Sequence, residues 1–266
     1  CANRKSIYER KKGINMRIID AHTHIFPEKI AVKAAKSIGS FYEVPMSYDA
    51  SVDLLLKSGA QIGVEKYLVC SSAVTADQVI SINDFIASEC KKHPEFIGFA
   101  AMHRDFEDYE AELDRAISMG LIGVKFHNDF QKFDIDDEKM FPIYDAISKR
   151  GMKVLFHMGD DRYDYTAPAR LTRVAEAFPD MICIGAHFGG YKCWSEAYEM
   201  PVLPNVYFDT SSTLEWLDTE TAKRMIERFG AEHFLFGTDF PMWDAKEELE
   251  RFMKLELDDE VKEMIL

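Results

Sequence analysis

Ile18-Ile19-Asp20-Ala21-His22-Thr23-His24 joins a short apolar run to two histidines that are separated by one residue. In an extended strand, alternate side chains share a face, so His22 and His24 can both reach one metal ion, and Asp20 lies on the same side. A His-x-His pair by itself is also compatible with a packing or surface role. The interpretation of this stretch therefore depends on what the rest of the chain places at comparable positions.

Short β-rich runs alternate with longer helical patterns along the whole chain. Eight runs predict strands at Arg17–Ala21, Val64–Cys70, Phe96–Ala101, Leu121–Phe126, Met152–Phe156, Met181–Ala186, Asn205–Phe208 and Phe234–Gly237. Predicted helices lie between and after them, at Ser51–Lys57, Ala76–Lys92, Asp108–Met119, Glu138–Arg150, Pro168–Phe178, Ser195–Met200, Thr219–Phe229 and Ala245–Leu266. This alternation is typical of a parallel sheet with helical crossovers, and eight units favour the α/β class and a (β/α)8 TIM barrel. An open doubly wound sheet is the alternative, but no Gly-x-Gly-x-x-Gly turn follows the first strand.

Polar side chains lie at the carboxyl ends of six of the predicted strands. They are His22 and His24, His103, His127, His157, His187 and Asp239. Active sites of (β/α)8 barrels lie at the carboxyl ends of the strands, so these residues are predicted to converge there. Lys125 is expected on the same side of the fourth strand as His127. His93 and His233 are interpreted as surface or packing residues.

The order of these motifs resembles the amidohydrolase superfamily of metal-dependent barrels. Asp-Ala-His-Thr-His-Ile-Phe-Pro at 20–27, Gly-Val-Lys-Phe-His at 123–127, Tyr-Phe-Asp-Thr-Ser at 207–211 and Phe-Gly-Thr-Asp-Phe-Pro at 236–241 carry the resemblance. Within the superfamily they are similar to the amidohydrolase-related branch that contains aminocarboxymuconate-semialdehyde decarboxylase. The resemblance extends over essentially the whole of residues 16–266.

The resemblance implies a metal bound by His22, His24, His157 and Asp239. It also implies that His187 is an acid–base residue, or a further ligand if two metals bind. Such a ligand set leaves an open position for water, as catalytic zinc sites do. Asp239 can also accept a proton, so the sequence does not separate the roles of Asp239 and His187. One divalent ion is expected, Zn²⁺ first, with Mn²⁺, Fe²⁺ or Co²⁺ as alternatives.

Lys125 bears on the number of metals. Some amidohydrolases bridge two metals through a carboxylated lysine on the fourth strand, whereas the branch that this chain resembles generally uses one. The one-metal interpretation makes Lys125 a charged group that is paired inside the site or faces an anionic substrate.

Four further residues are candidates for substrate contact: Lys125, His127, His103 and Arg162. For the two histidines, hydrogen bonding to a neighbouring carbonyl is an equal alternative, and for Arg162 a solvated salt bridge is the alternative to bidentate binding of a carboxylate. Asp209-Thr210-Ser211 is predicted either to hydrogen-bond around the ligands or to form a plain turn.

Two reactions remain open. In the first, a metal-activated water attacks an ester, lactone or amide of a small molecule, which makes the protein a hydrolase. In the second, the same metal site supports non-oxidative decarboxylation of an unsaturated or aromatic carboxylic acid. The breadth of hydrolytic chemistry in the superfamily favours the hydrolase, although the two classes can share one set of metal ligands.

Composition limits the classes of binding partner and the cellular compartment that the sequence predicts. The net charge of −14 excludes nucleic acid and anionic membrane surfaces as main partners, because phosphate binding needs a basic face. No apolar run approaches the roughly 20 residues that span a bilayer. Five cysteines without C-x-x-C spacing favour reduced thiols and a cytoplasmic location. Related barrels are often dimers, which makes a homodimer one possibility, but no segment identifies an interface and the sequence does not determine the oligomeric state.

Two segments lie outside the barrel pattern. Residues 1–15 are polar and basic and are interpreted as a leader that precedes a natural start at Met16, so that 16–266 form one barrel domain. Residues 26–50, after the first strand, contain turn-forming and aromatic residues, and long insertions of this kind are often functional lids. A lid-like insertion over the metal site is predicted; a helical insertion that only packs on the barrel is the alternative.

Overall fold

The computed structural model describes residues 16–266, so the predicted leader 1–15 lies outside the described residues. Its strands are β1 (Ile18–His24), β2 (Val64–Cys70), β3 (Phe96–Ala101), β4 (Gly123–Phe126), β5 (Lys153–Phe156), β6 (Cys183–Gly185), β7 (Val206–Asp209) and β8 (Phe234–Leu235). Its α-helices are α1 (Glu28–Tyr42), α2 (Val52–Ala60), α3 (Val79–Lys92), α4 (Tyr109–Ser118), α5 (Asn128–Gln131), α6 (Phe141–Lys149), α7 (Pro168–Ala177), α8 (Trp194–Tyr198), α9 (Thr219–Phe229), α10 (Ala245–Met253) and α11 (Asp259–Ile265).

The eight strands form one sheet in the order β1 to β8, which is also their order in the chain. Neighbouring strands pair in parallel, for example β4 with β5 and β5 with β6. Sequential parallel strands separated by helices define the (β/α)8 barrel fold, and the predicted fold class is confirmed. All eight predicted strands are present, and six differ from the prediction by one to three residues at an end.

The described chain divides into two compact units. The first comprises the residues up to Leu68 together with Thr210–Leu266, and the second comprises Val69–Asp209. Each unit contains one group of candidate site residues.

In the first unit, the insertion after β1 is mainly helical. Residues 28–42 form α1, whose buried residues Ala31, Ala35, Gly39 and Tyr42 recur at helical spacing. Ala31 and Ala35 pack with Ala50, and Phe26 and Met46 cover this cluster. The loop that follows hydrogen-bonds to the segment after β8, through Ser47 N to Met242 O (3.1 Å) and Tyr48 N to Pro241 O (3.2 Å). A helical insertion that packs within this unit is therefore present after β1.

In the second unit, β3 to β7 pair in one continuous parallel register. The core beside them is aromatic, with Phe126 stacked on Phe156 at 5.9 Å between ring centroids and Tyr144 edge-on to both. Gly123 begins β4 where a Cβ atom would lie 2.5 Å from the ring of Phe99, so only glycine fits without movement of that ring. This packing fixes the strands that carry Lys125 and His157.

The last predicted helix is two helices. The prediction ran from Ala245 to Leu266, but α10 ends at Met253 and α11 begins at Asp259. Asp258 precedes α11 with extended backbone angles (φ −62°, ψ 151°), as an N-cap residue does. Leu249 and Phe252 of α10, Ile265 of α11 and Leu255 in the connection are buried.

Among residues 16–266, none of the helices combines the length and the apolar character that crossing a membrane requires.

Candidate metal centre

Three predicted ligands converge in the first unit, and we call His22, His24 and Asp239 the β1–β8 cluster. His22 Nε2 lies 3.1 Å from His24 Nε2. Asp239 Oδ1 lies 3.3 Å from His24 Nε2 and 3.7 Å from His22 Nε2. The His22 side chain is buried, whereas those of His24 and Asp239 are each 12% exposed. Three donor atoms thus face one another at a point that a small ligand can reach.

Two serines that follow β7 contact the opposite atoms of this cluster. Ser211 Oγ lies 3.1 Å from His22 Nδ1. Ser212 Oγ donates to Asp239 Oδ2 at 2.6 Å. These contacts orient His22 Nε2 and Asp239 Oδ1 toward the middle of the cluster, as partners of metal ligands commonly do.

The β1–β8 cluster has the donors that a divalent ion requires. One ligand atom from each of its three residues lies within 4.8 Å of the others. Two imidazoles and a carboxylate suit Zn²⁺, Mn²⁺, Fe²⁺ or Co²⁺. The residues present therefore fit a metal.

Asp20, on the same strand face as the two histidines, has a structural contact instead. Its carboxylate accepts from Thr238 N (3.0 Å) and from Thr238 Oγ1 (2.6 Å). Asp239 N in turn donates to His22 O at 2.9 Å. These bonds hold Asp239 with a φ of 56°, in the left-handed region that non-glycine residues rarely adopt. Backbone of this kind occurs where surrounding contacts determine it, often at functional sites.

His157 and His187 meet in the second unit, and with Asp129 they form what we call the β5–β6 cluster. His187 Nε2 lies 3.1 Å from His157 Nδ1. On the other side of its ring, His157 Nε2 lies 3.1 Å from Gly159 O and 3.2 Å from Asp129 Oδ2. Thr166 Oγ1 is within 3.1 to 3.2 Å of both oxygens of Asp129, which orients that carboxylate.

The partners of His157 determine its tautomer. A carbonyl and a carboxylate only accept hydrogen bonds, so Nε2 of His157 must carry the hydrogen. In the neutral ring, Nδ1 then has the lone pair that can bind a metal. The contact with His187 consequently requires that Nε2 of His187 donates to Nδ1 of His157.

The chain around His187 positions this residue firmly. His187 N donates to Asp209 Oδ1 at 3.0 Å, and Trp194 Nε1 donates to His187 O at 3.0 Å. The φ of His187 is 61°, which is again left-handed. His187 is buried. The alternative in which Asp209 and Ser211 hydrogen-bond around candidate ligands agrees with these contacts.

The four substrate candidates all lie in the second unit, in different environments. His103 is buried, accepts from Asp105 N at 3.1 Å, and has a pKa lowered mainly by burial, which favours a locally hydrogen-bonded neutral histidine. His127 is stacked between Phe130 (3.7 Å) and His157 (4.0 Å), where it supports the His157 ring. Lys125 is completely buried on β4.

Arg162 is held by a buried carboxylate. It contacts Asp160 through Nε (2.8 Å) and Nη2 (2.6 Å). Burial by itself would raise the pKa of Asp160, but the hydrogen bonds from Arg162 outweigh it and lower this pKa. The guanidinium therefore forms a salt bridge, which was the alternative to binding a substrate carboxylate in the sequence-based prediction.

Two functional contacts were not predicted. Asp129 lies three residues after β4, and its position beyond a strand end is the signal that was available. Ser212 follows directly on the Asp209-Thr210-Ser211 turn but was not included with it. Each of them contacts a candidate ligand and not the metal position itself, and sequence periodicity does not identify contacts of this kind.

Comparison with solved structures gives similar folds. They include an uncharacterized TIM-barrel protein from Bordetella bronchiseptica (21% identity, TM-score 0.73, covering 94% of this chain and 95% of that one). A dihydroxybenzoic acid decarboxylase from Polaromonas sp. JS666 with bound manganese and 2-nitroresorcinol also matches (16% identity, TM-score 0.72, 94% of both chains). So does a candidate 2-pyrone-4,6-dicarboxylic acid hydrolase from Pseudomonas putida (17% identity, TM-score 0.65, 95% of both chains). At these identities the likeness concerns the fold alone.

The family comparison is more specific than the structural one. No curated protein matches the chain. The amidohydrolase family model, in contrast, matches residues 19–266 and includes every residue of the two clusters. The chain therefore belongs to the amidohydrolase family.

Proposed function

We propose that the protein is a metal-dependent hydrolase that cleaves an ester, lactone or amide of a small molecule. Amidohydrolase family members bind a divalent metal. The observation that carries the proposal is the β1–β8 cluster, in which His22 Nε2, His24 Nε2 and Asp239 Oδ1 lie within 3.1 to 3.7 Å of one another. His157 is proposed as the fourth ligand through Nδ1, the nitrogen that its tautomer leaves as an acceptor.

A bound divalent ion would supply Lewis acidity, which polarises a carbonyl and makes water a better nucleophile near neutral pH. Asp239 is the proposed base that accepts the proton of the attacking water. His187 is the proposed donor: Nε2 carries a hydrogen, and in a loaded site this hydrogen can turn from His157 toward the oxyanion that develops on the substrate. The hydrogen bonds of His187 to Asp209 and from Trp194 hold its backbone for that role.

The arginines that follow strand ends favour a substrate without a carboxylate. Arg162 is paired with Asp160, Arg104 with Asp137 at 2.8 Å, and Arg170 with Asp136 at 2.6 Å. Each would have to leave a carboxylate partner in order to bind a substrate carboxylate. This distribution supports hydrolysis over decarboxylation.

Non-oxidative decarboxylation of a small carboxylic acid is the second candidate, and Lys125 is the observation that favours it. A lysine side chain with no solvent exposure near the end of β4 brings an amino group into the second unit, and this group is a cation when it is protonated. Such a cation can stabilise a substrate carboxylate. The same metal ligands would serve this reaction.

Turnover in water enriched with oxygen-18 separates the two reactions. Purified protein reconstituted with Zn²⁺ or Mn²⁺ is incubated with a panel of lactones, esters, amides and aromatic carboxylic acids, and the products are analysed by mass spectrometry and for carbon dioxide. Incorporation of one solvent oxygen into the product supports the hydrolase, whereas carbon dioxide release without such incorporation establishes the carboxy-lyase. Asp239→Asn should lower turnover by about 10³-fold or more in either case, and Asp218→Asn, at the start of α9, is the matched control. Full activity of Asp239→Asn would contradict the proposed role of this carboxylate.

A further inference from the structure

A chain of hydrogen bonds extends from Asp239 away from the metal ligands. Ser212 Oγ donates to Asp239 Oδ2 at 2.6 Å. Trp243 Nε1 lies 2.9 Å from Ser212 Oγ. All three residues belong to the first unit, and Ser212 is 2% exposed.

The direction of this chain follows from the chemistry of its members. An indole N–H can only donate, so Trp243 donates to the hydroxyl oxygen of Ser212. The hydroxyl has one hydrogen, and the carboxylate at 2.6 Å is a much stronger acceptor than the Met242 sulfur at 3.6 Å. The chain therefore runs from Trp243 through Ser212 to Asp239, and each bond strengthens the next.

A fixed cation lies at the outer end of the chain. The Arg251 guanidinium carbon is 4.8 Å from the centroid of the Trp243 ring. Arg251 is held by Glu248 at 2.6 Å and by Glu215 at 2.7 Å. A cation against an indole ring attracts its π electrons and makes the N–H a stronger donor.

The backbone places the serine hydroxyl where this bond requires it. Ser212 has a φ of 49° and Asp239 a φ of 56°, so both ends of the central hydrogen bond lie in the left-handed region. Two such residues in direct contact indicate that the surrounding contacts hold this geometry against its conformational cost.

We infer that Ser212 and Trp243 are positioning residues that reserve Oδ2 of Asp239 and present Oδ1 alone to the metal. A bound ion would then be held through Oδ1, while the hydrogen bond to Oδ2 resists rotation of the carboxylate plane. The inference rests on the metal site of the proposed function and adds two residues to it. Neither of them is a metal ligand.

Metal affinity of the apoprotein tests this inference without the need for a substrate. Mn²⁺ binding is measured by competition with a fluorescent chelator for the wild type, Ser212→Gly and Trp243→Phe. Glycine removes the hydroxyl and tolerates the positive φ, and phenylalanine keeps a ring against Arg251 but removes the N–H. We expect Ser212→Gly to weaken binding by about 10- to 100-fold, the effect typical of residues that hold metal ligands, and Trp243→Phe to weaken it by a smaller factor. Trp216→Phe is the control, because it makes the same substitution in the ring that packs edge-on against Trp243 at 5.4 Å.

The double variant Ser212→Gly/Trp243→Phe distinguishes a chain from two separate packing effects. If Trp243 acts through the Ser212 hydroxyl, its substitution has no further effect on Mn²⁺ affinity once that hydroxyl is gone. Additive losses, or unchanged affinity in the folded Trp243→Phe variant, would overturn the inference while leaving the metal site intact. A wild-type protein that binds no Mn²⁺, Zn²⁺ or Co²⁺ would overturn both the inference and the proposed function.

Discussion

His22 and His157 are each contacted at one ring nitrogen, and the contacted nitrogen differs between the two residues. Ser211 Oγ lies against Nδ1 of His22, whereas Asp129 and Gly159 lie against Nε2 of His157. A histidine beside a metal can bind through only one nitrogen, so its other partner sets the tautomer and the angle of the ring. Neighbouring residues therefore set the orientation of each of these two rings.

Asp129 gives the first prediction at this scale. Asp129→Leu removes the acceptor for His157 Nε2–H, so the ring can rotate or change tautomer, and we expect Zn²⁺ affinity of the apoprotein to fall by about 10- to 100-fold. Asp129→Asn keeps an acceptor oxygen and should lose less. Calorimetric titration measures both, with Asp160→Asn as the control, because that buried carboxylate forms its salt bridge with Arg162. Equal affinity of Asp129→Leu and the wild type would contradict the proposal that Asp129 orients His157 as a metal ligand.

Glu248 gives a pH prediction for stability. Burial, partly offset by Arg251, raises the pKa of Glu248 from 4.5 to about 8. Between these values the folded state holds a proton that the unfolded state lacks, so this contribution to the free energy of unfolding is complete below pH 4.5 and is lost as the pH rises through about 8.

The comparison is between urea unfolding of the wild type and of Glu248→Gln from pH 5 to pH 8. The wild type should lose stability relative to Glu248→Gln as the pH rises, since glutamine does not ionise. Glu215→Gln is the control, because Glu215 also pairs with Arg251 but its side chain is 44% exposed. A parallel pH dependence of the wild type and Glu248→Gln would mean that Glu248 ionises normally in the folded protein.

At the scale of elements, the strands were the most predictable feature. Buried strands of a parallel sheet are short apolar runs with polar residues at their carboxyl ends, and this pattern located all eight. Helix ends were less predictable, since the run of Ala245–Leu266 has apolar residues throughout and only Asp258-Asp259 signals the break before α11. The contacts of Asp129 and Ser212 were not predictable, because they depend on turns whose backbone angles no periodic pattern encodes.

The insertion after β1 is tied to the start of α10 by one side-chain cluster. Asp244 caps α10 by accepting from Lys246 N at 2.9 Å, and it also accepts from Tyr48 Oη and from Gln61 Nε2 at 2.9 Å. Burial opposes ionisation of Asp244, but the hydrogen bonds of Tyr48 and Gln61 lower its pKa below the usual range. The ring of Tyr48 also stacks on Phe240, next to Asp239.

The contacts of this cluster lead to a prediction about the local stability of the insertion. Tyr48→Phe should speed amide hydrogen exchange at Ser47 and Tyr48, whose N–H groups bond to Met242 and Pro241, and should lower the free energy of unfolding by about 1 kcal/mol. Asp244→Ala should do the same and also lose the helix cap. Asp218→Ala removes the comparable cap of α9, where Asp218 accepts from Thr221 N, and should leave exchange at Ser47 and Tyr48 unchanged. Unchanged amide exchange in Tyr48→Phe would mean that the backbone hydrogen bonds of the loop, and not the Tyr48 hydroxyl, hold it in place.

For the whole molecule, the sequence supports a fold and a family more firmly than a reaction. The order of eight strands follows from alternation along the chain, and the family match covers residues 19–266. The reaction is not fixed in the same way, and Arg162, a candidate for substrate binding, is already engaged in an ion pair with Asp160. The metal ligands alone do not distinguish hydrolysis from decarboxylation, because both reactions can use the same ligand set.

Metal binding should be visible in the stability of the entire chain. A ligand that binds only the folded state at 100 times its Kd adds about 2.7 kcal/mol, which raises the melting temperature of a protein of this size by about 5 to 10 °C. We expect Zn²⁺ to raise the melting temperature of the chelator-treated protein by such an amount, and His24→Ala to abolish the shift. His93→Ala is the matched control, because the side chain of that histidine contacts Glu89, Glu95 and Phe96 in the second unit, outside the β1–β8 cluster. A shift of the same size in His24→Ala would locate the stabilising ion away from the β1–β8 cluster, whereas its loss in His24→Ala alone ties the folding energy to that cluster.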